Sequence, residues 1–287
     1  MGRFAPTPSG DLHLGSLYTA AASYLDARAH GGRWLLRIED VDVPRAVPGS
    51  AEGIIRTLQR FGFEWDGEIM RQNDRIEDYR AALQGLRDRG LTFECTCSRS
   101  QLEDERSYPG TCRALGRPAS AHTATRLRVE PEFISFADEI QGTFRQNVAA
   151  AVGDLIIKRR DQVFPYLLAV VVDDAAQGVN HVVRGADLLD NTPRQIYLQR
   201  CLGLDTPRYA HVPVLTEADD TKLAKSRRSV CAGIGAPLTQ LMSVFSLLGM
   251  APPAQLRRAQ LPDLWRWGIA NWKKNTVPNR LNVRLID

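Results

Sequence analysis

Two short stretches of this 287-residue chain carry the residue types and spacing that phosphate chemistry needs. The first runs Arg3-Phe4-Ala5-Pro6-Thr7-Pro8-Ser9-Gly10-Asp11-Leu12-His13-Leu14-Gly15-Ser16, a strand, a proline-stiffened turn and a small-residue loop opening a helix. Helix N-termini present unpaired N–H groups and a partial positive charge, so anions bind there. Gly15, two residues after His13, lets a nucleotide approach the backbone closely because glycine has no Cβ. The competing reading is a Gly-Ser helix cap with an incidental histidine. The second stretch is Lys222-Leu223-Ala224-Lys225-Ser226, set in a polar context with Asp219-Asp220-Thr221 before it and Arg227-Arg228 after it. Two lysines three apart on a mobile loop suit a pyrophosphate leaving group, whose negative charge grows as the bond breaks. A solvated basic loop is the alternative.

Elements that would position these residues are legible in the patterning. Arg3 to Pro6 reads as a short strand, Gly15 to Ala29 as an Ala-rich helix stopped by Gly31-Gly32, and Trp34 to Ile38 as a strand. Ser50 to Phe61 and Arg75 to Arg89 have the apolar spacing of helices. Strands alternating with helices predict an α/β fold with a parallel, Rossmann-type sheet. From 91 to 178 the texture changes to short β-like runs (Thr125 to Val129, Leu155 to Lys158, Val163 to Val172) around a cysteine cluster, which predicts an inserted α+β subdomain. The α/β pattern resumes with a strand at His181 to Val183, a helix at Asp187 to Leu202 and a strand at His211 to Leu215. The expected organisation is therefore a first catalytic half at 1–90, an insertion at 91–178, a second half at 179–235, and a short helical C-terminal region at 236–287. In that last region Trp265, Trp267 and Trp272 read as part of a helical pair capping the core.

Composition narrows the class. With 44% apolar and 24% charged residues, a collagen, a disordered chain and a disulfide scaffold are excluded. The longest apolar run, Val163 to Val172, is half of the ~20 residues a membrane span needs. Neither a leader pattern nor paired cysteines point to export, so a cytoplasmic protein is expected. The net charge of +4 hides an asymmetry, because residues 222–287 hold 11 Lys/Arg against 2 Asp/Glu. A basic final quarter on an acidic body fits a phosphate-bearing partner or a solvated face.

Taken together, the H-x-G element and the K-x-x-K-S loop resemble the double signature of class I aminoacyl-tRNA synthetases. R-I-E-D-V-D at 37–42, G-F-E-W-D at 62–66, V-V-D-D at 171–174 and V-R-G-A-D-L at 183–188 extend the resemblance to the glutamyl-tRNA synthetase catalytic core, over roughly residues 3 to 230. Only about 60 residues follow Ser226, too few for the anticodon-binding region of the full enzymes. A core that stops there resembles the glutamyl-queuosine tRNA(Asp) synthetases. That family activates glutamate with ATP and transfers it to the queuosine base at the wobble position of tRNA(Asp). Cys95-x-Cys97, Tyr108 and Cys112 resemble the family's zinc site. From the residues alone, three thiolates suit a tetrahedral, structural Zn²⁺ whose fourth ligand is O or N, with His122 competing against Tyr108. Three buried free cysteines are the bland alternative, and Cys201 and Cys231 lie outside the cluster.

The resemblance also implies site roles. Glutamate carries one ammonium and two carboxylates, so its pocket needs an acid and at least one arginine fork. The roles fall on Arg3 and Arg184 for the carboxylates, Glu39 for the ammonium and Tyr166 for a hydrogen bond, with Thr7 near the amino acid. Pro6, Ser9, His13, Gly15, Ser16 and Lys225 would meet ATP, with His13, Lys222 and Lys225 catalytic and Mg²⁺ shielding the triphosphate. Three positions depart from the synthetase pattern: Thr7 in place of Ser, Ala224 in the lysine loop, and Val170 where an Asn is typical. The loss of that polar contact is expected to change how glutamate sits. The implied partners are ATP, L-glutamate and the anticodon stem-loop of queuosine-containing tRNA(Asp), met by a monomer. The rivals are a truncated synthetase charging a tRNA 3′ end, a non-catalytic RNA-binding paralogue and a generic nucleotidyltransferase.

Overall fold

The computed structural model describes residues 1–42, 46–98, 100–102, 107–216 and 236–284. Lys222, Lys225 and Cys231 therefore lie outside the described residues.

Three parallel strands form the first half of the central sheet: β1 (Gly2–Phe4), β2 (Trp34–Ile38) and β3 (Met70–Arg71), in the order β1-β2-β3. Helix α1 (Leu14–Ala29) connects β1 to β2 and is buried along most of its length, which its run of alanines permits. Helices α2 (Ser50–Arg60) and α3 (Ile76–Asp88) follow, each within a residue of the expected bounds.

After a crossover, β4 (Thr92–Cys95), β5 (Ala124–Leu127) and β8 (Leu155–Lys158) make a separate antiparallel sheet, order β4-β5-β8. Between β5 and β8 lie the hairpin strands β6 (Phe133–Asp138) and β7 (Gly142–Asn147) and the single turn α4 (Val148–Ala151). This hairpin belongs to another sheet, ordered β7-β6-β10-β9, in which β9 (His181–Gly185) runs parallel to β10 (Arg208–Val212). The stretch from 91 to 178 thus supplies strands to two different sheets.

The Met1 carbonyl joins the halves, accepting from the Asn180 and His181 amides at 3.2 and 3.3 Å. Helix α1 packs across both β1 and β9. Strand order reverses between β1 and β9, and in open parallel sheets the crevice at such a point, beyond the carboxyl ends of the strands, is where ligands bind.

The apolar run Val163 to Val172 is mainly helical rather than β: α5 covers Tyr166–Ala176, capped by an extended Pro165. A buried helix and a buried strand produce the same unbroken apolar run, so periodicity could not separate them. The expected helix at Asp187 to Leu202 splits into a 3₁₀ stretch, Ala186–Asn191, and α6 (Thr192–Leu202). Pro213 divides the strand expected at His211 to Leu215 into β10 and β11 (Val214–Thr216), and β11 pairs with β12 (Asn282–Arg284).

Helices α7 (Pro237–Leu247) and α8 (Leu261–Asn271) cap the core under α1. Trp265 packs edge-on against Tyr24 at 4.7 Å and donates its indole N–H to the Phe61 carbonyl at 2.9 Å. Trp272 donates to Asp26 Oδ1 at 3.1 Å. Both indoles are buried with their N–H groups paired, as burial of tryptophan requires. Among the described residues no helix is long and apolar enough to cross a membrane.

Candidate active site

A cleft of about 630 Å³ opens at the carboxyl ends of β1 and β9, where the strand order reverses. Arg3, Pro6, Thr7, Ser9, His13, Gly15, Ser16, Glu39, Tyr166 and Arg184 all line it. Every residue expected to meet ATP or glutamate that falls among the described residues is therefore in one cavity. Val170 is buried and is not among the lining residues.

The loop after β1 is held by backbone pairing. Glu39 N donates to the Pro6 carbonyl at 3.0 Å and Val47 N to the Pro8 carbonyl at 2.8 Å. Ser50, opening α2, accepts from Gly10 N at 3.0 Å and donates to Gly10 O at 2.6 Å. His13 is the N-cap of α1, its Nδ1 accepting from Ser16 N at 3.2 Å and its Nε2 lying 3.0 Å from Ser16 Oγ. This arrangement puts the ring proton on Nε2. Burial lowers the His13 pKa, opposed by the Asp187 carboxylate, so the ring stays neutral at neutral pH. A Cβ at position 15 would sit 3.1 Å from His13 Nδ1, so the glycine also gives room to the folded-back imidazole.

Behind the cleft lies a buried charge network. Arg3 pairs through Nε and Nη2 with both oxygens of Asp174, at 3.2 and 3.4 Å. Arg37, with no solvent exposure, donates to Asp174 Oδ1 at 2.7 Å and approaches Glu39 Oε1 at 3.5 Å. Asp173 accepts from Gln72 Nε2 at 2.9 Å, Arg75 Nε at 3.3 Å and Tyr79 Oη at 2.7 Å. Burial works to raise the Asp174 carboxyl, but the Arg3 and Arg37 guanidiniums outweigh it and hold it below the usual carboxylate range. Glu39 goes the other way. Burial dominates over Arg37 and Arg3, and Asp174 and Asp173 add to it, pushing its pKa up to about 7.

Arg184 is held from the opposite wall. Its Nε donates to His211 Nε2 at 3.0 Å and its Nη2 to Thr192 Oγ1 at 2.8 Å, leaving Nη1 beside Tyr166 Oη at 3.5 Å. The sequence suggested arginines offering a two-pronged fork to glutamate. The Nε edge of each guanidinium is engaged by the protein, Arg3 by Asp174 and Arg184 by His211 and Thr192, so the Nη1 end is what each turns to a carboxylate.

Arg37, Asp174, Asp138 and His211 were missed as site-shaping residues. The signal for Asp173 and Asp174 was available, since two consecutive acids in an apolar run must find cations once buried. Nothing in the sequence marked Asp138 and His211, which meet only through the pairing of β6 with β10.

The Cys95, Cys97 and Cys112 sulfurs lie within 4.8 Å of one another, and Cys97 Sγ is 3.6 Å from Cys112 Sγ. A tetrahedron of Zn–S bonds near 2.3 Å places its sulfurs about 3.8 Å apart. Tyr108 Oη is 3.5 Å from Cys95 Sγ, while His122 is exposed and outside the group. The donor set of three sulfurs and one phenol oxygen fits a zinc ion. A Cβ at Gly153 would come within 2.3 Å of the Tyr108 carbonyl, so only glycine lets this tyrosine sit where it does.

Comparison with known proteins agrees with this geometry. Residues 1–260 match the family of class I tRNA synthetases (E and Q), catalytic domain. The chain is 51% identical over 290 residues to a glutamyl-Q tRNA(Asp) synthetase of Pseudomonas fluorescens, covering 99% of this chain and 95% of the relative. It is 53% identical over 281 residues to the protein of that name from Ectopseudomonas mendocina, covering 97% and 95%. A solved glutamate-tRNA synthetase from Elizabethkingia anophelis superposes with a TM-score of 0.82 at 24% identity, over 99% of this chain and 68% of that one. A glutamate tRNA ligase from Elizabethkingia meningosepticum, solved with its amino acid, gives 0.81 at 24% identity over 99% of this chain. This chain spans 66% of that one's length.

Proposed function

Because the chain belongs to the glutamyl-Q tRNA(Asp) synthetases, within the class I synthetases for glutamate and glutamine, we propose that it activates L-glutamate with ATP and transfers it to the queuosine base at the wobble position of tRNA(Asp). The observation that carries this reading is the convergence of Arg3, Glu39, Tyr166, Arg184 and His13 on one cleft.

The chemistry has two steps. The glutamate α-carboxylate attacks the α-phosphorus of ATP in line, forming the mixed anhydride and releasing pyrophosphate. A hydroxyl of the queuosine cyclopentene ring then attacks the activated carbonyl, giving an ester and AMP. In the first step catalysis is mostly positioning and charge stabilisation. Nη1 of Arg3 and Nη1 of Arg184, with the Tyr166 hydroxyl, receive the carboxylates, and Glu39 receives the ammonium. His13, neutral and carrying its proton on Nε2, donates to Ser16 Oγ and so leaves the serine hydroxyl to donate to phosphate oxygen. Pro6, Thr7, Ser9, Gly15 and Ser16 shape the rest of the wall. Lys222 and Lys225 take the leaving pyrophosphate, and Mg²⁺ enters with ATP, as in class I synthetases generally.

Cys95, Cys97, Cys112 and Tyr108 would hold a structural zinc. With zinc bound, Cys95 and Cys97 would tie the end of β4 to the loop carrying Tyr108 and Cys112. In this reading residues 91–178 act as the zinc-bearing insertion between catalytic halves at 1–90 and 179–235, with 236–287 as the helical cap. The enzyme works as a cytoplasmic monomer on the anticodon stem-loop.

Labelled-glutamate transfer onto tRNA(Asp) with and without queuosine tests this. Transfer only to the queuosine-containing tRNA is expected, and transfer that ignores queuosine overturns it. Trimming the tRNA 3′ CCA separates the main rival, since it blocks a 3′-end charger alone.

A further inference from the structure

We propose that His211, anchored by Asp138, is a positioning residue for Arg184 that decides which guanidinium nitrogen meets glutamate. The inference rests on the reading of Arg184 as a carboxylate-binding residue.

Asp138 ends β6, and His211 lies on the adjacent β10. Oδ1 of Asp138 accepts from the backbone amides of Ile140, Gln141 and His211, at 3.0, 2.8 and 3.1 Å. Its Oδ2 lies 2.5 Å from His211 Nδ1. Burial works to raise this carboxyl, but the hydrogen bonds from His211 and the backbone amides hold it below the usual range, so it stays an acceptor only. An acceptor at Nδ1 fixes the proton there and leaves a lone pair on Nε2. That lone pair meets Arg184 Nε at 3.0 Å. Burial in turn lowers the His211 pKa, offset in part by Asp138 and reinforced by Arg184, which keeps the ring a neutral acceptor.

Three protein acceptors, His211 Nε2 at Nε and Thr192 Oγ1 with the Leu188 carbonyl (3.4 Å) at Nη2, thus engage the guanidinium. The plane is locked, and Nη1 is turned toward Tyr166 Oη. His211 has no solvent exposure and does not line the cleft, so it acts on glutamate only through Arg184.

Tautomer logic supplies an isosteric test. In Asp138→Asn the amide NH₂ donates to His211 Nδ1, moving the ring proton to Nε2, where it opposes Arg184 Nε–H. His211→Leu removes the acceptor outright. His211→Gln restores it, its amide spanning the same two partners. ATP–pyrophosphate exchange would be measured for all three and for Arg184→Leu, with glutamate KM, ATP KM, kcat and melting temperature recorded.

We expect Asp138→Asn and His211→Leu to raise glutamate KM about 10- to 100-fold, the scale of one hydrogen bond to a charged group. ATP KM stays within about twofold, and His211→Gln recovers most of the loss. If Arg184→Leu leaves glutamate KM unchanged, the reading of Arg184 itself fails. If Arg184→Leu raises it while Asp138→Asn and His211→Leu do not, the positioning role alone fails. A parallel rise of both KM values with a lowered melting temperature, not relieved in His211→Gln, assigns a merely structural role and also overturns it.

Discussion

Arg37 Nη2 lies 2.7 Å from Asp174 Oδ1 with the guanidinium wholly buried, and the same nitrogen faces Glu39 at 3.5 Å. One cation therefore serves both the acid that anchors Arg3 and the acid that faces the cleft. Its removal leaves Asp173, Asp174 and Glu39 close together in a water-poor setting. Arg37→Met should destabilise the fold by about 3–5 kcal/mol, the cost of an orphaned buried charge. Urea unfolding checks this, and a change within experimental error would contradict the network described here.

Glu39 predicts a pH dependence. With its pKa up at about 7 from 4.5, Glu39 is a neutral carboxylic acid below that pH. Its stability contribution is fully present below the unfolded value of 4.5 and is lost as pH rises through about 7. Glutamate's ammonium needs the ionised form, so binding follows the opposite sense. The glutamate KM should fall as pH rises toward about 7 and level off above it. Below that point it should change about tenfold per pH unit for one essential ionisation. In Glu39→Gln the slope should vanish and the KM should be high throughout, as read by pyrophosphate exchange across the range.

Lys225→Ala should lower ATP–pyrophosphate exchange at least ~100-fold, the scale of losing one transition-state donor. Lys222→Ala should be weaker or equal in effect. Retained exchange in Lys225→Ala would remove the lysine loop from the mechanism.

The cysteine cluster predicts a metal dependence of stability. Purified protein should contain one zinc per chain by elemental analysis, and Cys112→Ser should lose it. Gly153→Ala should also lower metal content without replacing any of the four zinc-holding side chains, because its Cβ would displace the Tyr108 backbone. Chelation should lower the melting temperature of the parent protein and have little effect on Cys112→Ser. Full zinc content in Gly153→Ala would show that Tyr108 is not needed for metal binding.

Resemblance to the glutamyl-tRNA synthetase core named the residues expected in the cleft, while the patterning of the sequence by itself determined the parallel α/β class and the bounds of α1, β2, α2 and α3. These are local properties: apolar period, helix caps, and motifs whose residues lie a few positions apart. It misassigned Val163 to Val172 because a buried helix and a buried strand look alike in one dimension. Tertiary structure alone decided how the arginines are used. Arg3 and Asp174 are 171 positions apart, and Asp138 and His211 are 73 apart. Partners that distant leave no spacing signal. They are joined by sheet pairing and burial; burial also raises the pKa of Glu39 to about 7, and the bonds to His211 and Thr192 turn Arg184 Nη1 toward Tyr166.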